Sequence, residues 1–235
     1  MKRPRIGAPA AGPAPTQLDR KTRRAGGPRS VRLIALTGGS GSGKSWLARR
    51  LKRRLGPLAG ILSLDDFYRD LSGLSPRERA RTNFDHPAAI EWHLFQDCLQ
   101  RLQRGEVVAL PRYDFTTHTR RARPRLWRPK PIVLLDGLWL LHRPALRRLY
   151  DLSVFCACPP EVRLARRLAR DQRERGRSRA SILRQFRMHV APMHDRFVEP
   201  QARHAHWRTG PGITREELAI IMAKVRHCKQ TQARR

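Results

Sequence analysis

The sequence predicts an α/β fold in which a parallel sheet is covered by helices on both faces. Three observations carry this expectation. Short apolar runs alternate with segments of helical periodicity across residues 31–225. The runs are continuous rather than alternating, as strands buried on both faces must be. The first run leads into a glycine-rich loop and then a helical pattern, the strand–loop–helix order of an α/β unit.

Taken in order, residues 31–36 form the first strand and 45–55 the first helix. Residues 61–64 form a short second strand. Residues 87–104 carry Ile90, Leu94, Cys98 and Leu102 four apart, the spacing of one helix face. Residues 107–110 are apolar and lead into an irregular stretch to about 126. Residues 131–135 read as a buried strand ending in Asp136-Gly137, and 152–157 as another. A strongly cationic helix spans 162–173 and a second helix 181–190. The fifth-strand region around His204-Ala205-His206-Trp207 is less apolar than a buried strand. A last helix over 215–225 presents Leu218, Ile221, Met222 and Val225 on one side.

At 235 residues the chain suits one domain, here 30–227, with its own core. Residues 1–29 hold five prolines and eight Lys or Arg against Asp19 alone, which predicts a disordered basic arm. Residues 228–235 form a short basic tail. No run approaches the 18 apolar residues of a membrane span. Cys98, Cys156, Cys158 and Cys228 lie in no paired framework, so reduced thiols and a cytoplasmic location are expected. Lys plus Arg number 50 against 19 acids, a net +31, and 43 of the 50 are Arg. Such an excess attracts polyanions without naming one, and a compositional bias would look the same. Non-specific polyanion binding through the arm is one expectation. The oligomeric state stays open, a homo-oligomer included.

Gly38-Gly39-Ser40-Gly41-Ser42-Gly43-Lys44-Ser45 fits G-x-x-x-x-G-K-[ST] at every fixed position. Glycines let successive backbone N–H groups turn inward on phosphate oxygens, and the following helix N-terminus adds positive potential. Lys44 reaches the outer phosphates, and Ser45 offers its hydroxyl to a magnesium ion. A P-loop NTPase-type sheet binding a nucleoside triphosphate follows. Two carboxylate sites come after the loop. Asp65-Asp66 ends the second strand, where an acid can accept a proton from an attacking hydroxyl. Asp136 ends a later strand and fits a carboxylate of the magnesium shell.

Further motifs occur in order. They are Ser63-Leu64-Asp65-Asp66-Phe67-Tyr68, Asn83-Phe84-Asp85-His86-Pro87, Pro111-Arg112-Tyr113-Asp114-Phe115-Thr116-Thr117-His118, Arg173-Glu174-Arg175-Gly176-Arg177 and Pro192-Met193-His194 with Glu199-Pro200. Together they resemble the uridine kinase family, over about residues 31–208. The resemblance implies a P-loop kinase sheet with a small β-hairpin lobe, about 107–127, and a helical lid, about 167–179. It implies transfer of the γ-phosphoryl of ATP or GTP, with Mg²⁺, to the 5′-hydroxyl of uridine or cytidine. Asp65 matches the acid that activates that hydroxyl, and Asp85 and Arg167 the groups that hold the ribose. Tyr68, Phe84, Tyr113, Phe115 and His118 match the base pocket, and Gln185 a position near the nucleoside. Arg170, Arg175 and Arg177 match lid residues over the phosphates.

Two departures stand out. The family usually has Glu where Asp136 stands, and Asp66 replaces a small or neutral residue. Related kinases of small hydroxylated metabolites, such as phosphoribulokinase and pantothenate kinase, share the loop and layout. Glycerate is a third acceptor of that kind. An RNA-associated P-loop protein is the alternative from another class, and Arg163, Arg166, Arg167 and Arg170 could be a solvated helix face.

Overall fold

A computed structural model describes residues 31–210 and 212–227. The basic arm and the tail from 228 lie outside them. Five strands form one parallel sheet: β1 (Arg32–Thr37), β2 (Ala59–Ser63), β7 (Ile132–Gly137), β8 (Leu152–Cys156) and β9 (Trp207–Thr209), in the order β2-β7-β1-β8-β9. Side chains alternate across a strand, so one apolar run feeds two cores. Leu33, Ala35, Val133 and Leu135 belong to one core, with Phe95 and Leu99 of helix α3. Ile34, Leu36, Leu134 and Val154 belong to the other, with Leu47 and Leu51 of α1 and Ile221 of the C-terminal helix.

The helices are α1 (Lys44–Leu55), α2 (Pro76–Arg81), α3 (Trp92–Gln103), α4 (Pro144–Arg147), α5 (Pro160–Arg175), α6 (Arg179–Gln185), α7 (Ala191–Met193) and α8 (Arg215–His227). Three differ from the sequence expectation in an instructive way, and one matches it. The stretch from 87 opens as a 3₁₀ turn, Pro87–Ala89, and α3 starts only at Trp92. Its buried face is centred on Phe95, Leu99 and Leu102, whereas Leu94 is only partly buried. Helix α2 was not expected; a capping box between Ser75 and Glu78, with Pro76 at its start, nucleates it. Helix α6 passes into π-helical segments at Phe186–Val190 and His194–Val198, joined by α7. Helix α8 buries Leu218, Ile221, Met222 and Val225, the four residues whose spacing predicted it.

The region about 107–127, irregular in its residue pattern but implied by the resemblance to form a β-hairpin lobe, contains two small antiparallel pairs. Strand β3 (Val108–Leu110) pairs with β6 (Arg125–Trp127), and β4 (Tyr113–Asp114) with β5 (Thr119–Arg120). Arg120 fastens this lobe to the main body by donating from Nε to the Tyr68 carbonyl at 2.9 Å. Strand β9 is only three residues long at the sheet edge, which explains its low apolar content. Cys98, Cys156 and Cys158 are free thiols. Among the described residues, no helix is long and apolar enough to cross a membrane.

The sheet fixes where function can lie. In an open parallel sheet, ligands bind beyond the carboxyl ends of the strands. Here β1 leads into the glycine-rich loop, β2 into the turn that carries Asp65, and β7 carries Asp136 at its end. The register pairs Asp136 with Leu36 of β1 and Ser63 of β2, so these three ends meet. Leu33 is fully buried at the centre of this sheet. Leu33→Ala should therefore lower unfolding free energy by about 2–5 kcal/mol, read from the urea midpoint.

Candidate active site

The phosphate loop is a tight turn against its neighbours. Gly38, Gly41 and Gly43 all have left-handed φ, at 144°, 81° and 98°. A Cβ on Gly41 would stand 2.5 Å from the Arg163 carbonyl oxygen, and one on Gly38 2.6 Å from that of Cys156. Only glycine fits either place. Gly43 caps α1, whose first turn carries no acid, so its positive end is unopposed. Lys44 folds back to donate to the Gly39 carbonyl at 3.3 Å.

Lys44, Ser45, Asp65 and Asp136 line one open cleft of about 1100 Å³. Asp65 lies just after β2, in a 3₁₀ turn (Leu64–Phe67), where Ser63 Oγ accepts its backbone N–H at 3.2 Å. Burial pushes its carboxyl up to about 6, Lys44 opposes the rise, and the charges of Asp136 and Asp66 add to it. Asp66 does not line the cleft. Burial raises its carboxyl too, and Arg125 and Arg112 hold it down. The two acids therefore face different surroundings, and the turn separates them rather than strand alternation. Asp136 Oδ1 is buried and accepts no hydrogen bond. No cluster of three His, Cys, Asp or Glu exists among the described residues to cage a metal. One orphaned carboxylate oxygen and one hydroxyl suit a hard cation that completes its shell with phosphate oxygens and water.

The far end of the cleft is aromatic. Phe84 and His118 stack at 4.2 Å with their planes 14° apart. Tyr113 packs against Tyr68 at 5.2 Å and Phe115 at 5.2 Å. Tyr68 donates its hydroxyl to the Phe84 carbonyl at 3.0 Å, so it braces the wall that Phe84 forms. The Tyr113 hydroxyl and His118 Nδ1 are buried without hydrogen-bond partners. His118 has φ 55°, and the adjacent Thr117 carbonyl accepts from Arg79 Nη1 at 3.0 Å. Burial, and then Arg79, lowers the His118 pKa, which favours the neutral ring. Asp85 lies at the same wall; burial raises its carboxyl and Arg167 holds it down.

Helices α5 and α6 supply the cationic wall. Arg167 is buried, donating to Ser40 Oγ and Gln185 Oε1, each at 3.0 Å. Arg177 shares the Gln185 acceptor. Arg170 and Arg175 line the cleft beside them, and the Arg175 guanidinium sits 6.0 Å over the Phe115 ring. A solvated face is ruled out for Arg163 and Arg167, which are 1% and 5% exposed. Arg163 backs the phosphate loop: its carbonyl meets Gly41, and its guanidinium stacks 5.9 Å from Phe186.

Apart from Asp66, the residues named from the sequence as site residues lie on this cleft or on the loop that bounds it. Sequence reasoning missed Asp171, a fully buried acid among the lid arginines, as well as Arg79 and Arg163. For Asp171 a signal existed: Arg167, Asp171 and Arg175 are four apart, which aligns them on one side of α5.

A glycine-rich loop with its lysine, joined through two carboxylates to an aromatic recess under an arginine lid, defines a P-loop phosphotransferase. The model of the phosphoribulokinase / uridine kinase family matches residues 33–210, and the chain belongs to that family. It is 43% identical over 178 residues to a uridine kinase of Shewanella baltica, covering 74% of this chain and 84% of the relative. It is 41% identical over 196 residues to a uridine kinase of Deinococcus deserti, covering 83% and 95%. The solved phosphoribulokinase of Rhodobacter spheroides superposes with a TM-score of 0.57 at 16% identity, over 80% of this chain and 75% of that one, a likeness of fold. The chain is thus a kinase with a nucleotide as phosphoryl donor.

The raised Asp65 carboxyl has a stability signature. The folded state holds this proton more tightly than the unfolded chain, whose Asp titrates near 3.8. Stability contributed by this group is therefore lost as pH rises from about 4 to about 6 and stays lost above. Asp65→Asn should be more stable than the parent at pH 7.5 by on the order of 1–3 kcal/mol, with the gain vanishing near pH 4. Urea melts at the two pH values measure it.

Proposed function

We propose that this kinase transfers the γ-phosphoryl of ATP or GTP to the 5′-hydroxyl of uridine or cytidine. The observation that carries the reading is the single cleft running from Lys44 and Asp136, past Asp65, to the Phe84–His118–Tyr113 recess. Its relatives named uridine kinase support the same acceptor.

The roles follow from chemistry. Loop N–H groups and Lys44 hold the phosphates. Asp136 and Ser45 would hold Mg²⁺, which when bound neutralises charge on the phosphates. Asp65 is largely ionised at neutral pH and takes the proton of the attacking hydroxyl. Asp85 accepts from a ribose hydroxyl and Arg167 donates to one. The unpartnered Tyr113 hydroxyl and His118 ring nitrogen read the edge of a flat pyrimidine, and Phe84 and Phe115 offer it apolar faces. Arg170, Arg175 and Arg177 stabilise charge on the transferring group.

An ADP-release assay against uridine, cytidine, ribulose 5-phosphate, pantothenate and glycerate tests the acceptor. The two nucleosides should show the highest kcat/KM; a higher value for any of the other three overturns the reading. Turnover should fall as pH drops through about 6, where Asp65 takes up its proton. Asp65→Asn should cut kcat by about 10²–10⁴ with ATP affinity held, and Asp66→Asn should be mild. The reverse pattern would reassign the base to Asp66. His118→Ala should raise the nucleoside KM about tenfold or more, leave that of ATP within about twofold, and change the uridine-to-cytidine ratio. Equal weakening of both substrates would make His118 a structural residue.

A further inference from the structure

Asp171 is completely buried, and four guanidiniums converge on its carboxylate. Arg170 Nε donates to Oδ1 at 2.8 Å, and Arg175 Nη1 stands 3.7 Å from the same oxygen. Arg167 Nε and Arg177 Nη1 stand 3.4 Å and 3.9 Å from Oδ2. The Asp171 backbone is engaged as well. Its carbonyl accepts the N–H of Gly176, which ends α5 with φ 61°, and that of Arg177 at 3.2 Å. All four arginines line the cleft and Asp171 does not. The carboxylate therefore sits behind them.

We propose that Asp171 is the positioning residue of the lid. One buried anion aims four guanidiniums at the place where phosphoryl charge develops. Four cations this close repel each other and would splay into solvent without a shared counter-charge. A single carboxylate gathers them, yet leaves a net excess of three positive charges toward the cleft. The graded distances divide the work. Arg170 is bonded firmly, while Arg175, beyond hydrogen-bond range of the carboxylate, is free to turn outward onto phosphate oxygens and Arg177 is held in place by Gln185 Oε1 and Ser181 Oγ. The backbone bonds from Gly176 and Arg177 fix the chain between these residues to the same point. Asp171 also competes with phosphate for the guanidiniums, so it restrains binding while it orders the transfer step.

This role separates two readouts that a purely structural role would move together. Asp171→Asn keeps the shape and removes the charge. ADP affinity, titrated calorimetrically without acceptor, should be unchanged or tighter, because the lid gains net positive charge. At saturating substrates kcat should fall tenfold or more. The double variant with Arg170→Ala should be little slower than the slower single variant, since the two residues act as one unit. A kcat within twofold of the parent, an ADP Kd raised fivefold or more, or additive losses in the double variant would each overturn the proposal. Should Asp171→Asn fail to fold by circular dichroism, Asp171→Glu keeps the charge but displaces it. That variant should lose at least threefold in kcat with ADP affinity held, and parental kcat in it overturns the proposal. The turnover arm rests on the nucleoside-kinase reading, and wild-type inactivity toward uridine would indict that reading. The ADP titration needs no acceptor and judges Asp171 by itself.

Discussion

The constraint on which the rest of the site depends is the contact between the phosphate loop and the strand and helix behind it. Gly41 lies against the Arg163 carbonyl and Gly38 against that of Cys156, with no room for a Cβ at either. The loop therefore cannot move without displacing β8 and α5. This fixes more than the loop. Arg167, one turn along α5 from Arg163, reaches Ser40 at 3.0 Å because α5 is docked there. The arginines farther along the same helix inherit their aim from that contact. The triphosphate cradle and the cationic lid are two ends of one packed unit.

A second constraint is electrostatic. Asp65 and Asp136 approach the same cleft from adjacent strands, and the charge of Asp136 disfavours that of Asp65 where burial already opposes it. Lys44 supplies the opposing pull. The result places the Asp65 carboxyl near 6, high enough to be a useful proton acceptor and low enough to be ionised at neutral pH. An acid tuned this way stabilises the fold less than a neutral isostere would. The molecule accepts that cost at the point where the proposed reaction needs a base, while its apolar residues pack two cores elsewhere.

The order of strands and helices was legible because the apolar runs and the glycine loop are local signals. Val31 to Thr37 must be buried on both faces, and eight loop residues can do little else. Boundaries were less legible. Ile90 continues the four-residue spacing of α3, yet Pro87 forces a 3₁₀ turn first, and Phe95 rather than Leu94 centres the buried face. Asp65 and Asp66 are the same residue type side by side, and it is the 3₁₀ turn over Leu64–Phe67 that sends Asp65 alone to the cleft. What stayed hidden was long-range. No local pattern says that Arg163 is buried beneath a loop 120 residues earlier, or that Arg79 bonds a hairpin carbonyl at 3.0 Å.

The arginine-rich composition adds a last physical point. In α5 the same residue type takes opposite environments within about three turns. Arg163 and Arg167 are buried, whereas Arg173 is largely exposed and pairs with Glu174 at 2.7 Å. Composition alone cannot tell these apart, since a guanidinium is acceptable in water and inside if its charge is met. Inside, the fold meets it with very few acids. Asp171 and Asp85 support the charge of Arg167 against burial, and Ser40 and Gln185 accept its hydrogen bonds. In a chain carrying 50 basic residues against 19 acids, the buried Asp171 carboxylate faces four arginines at once. That economy is why the lid gathers around a single carboxylate, and why the positive charge left over faces the cleft rather than the core.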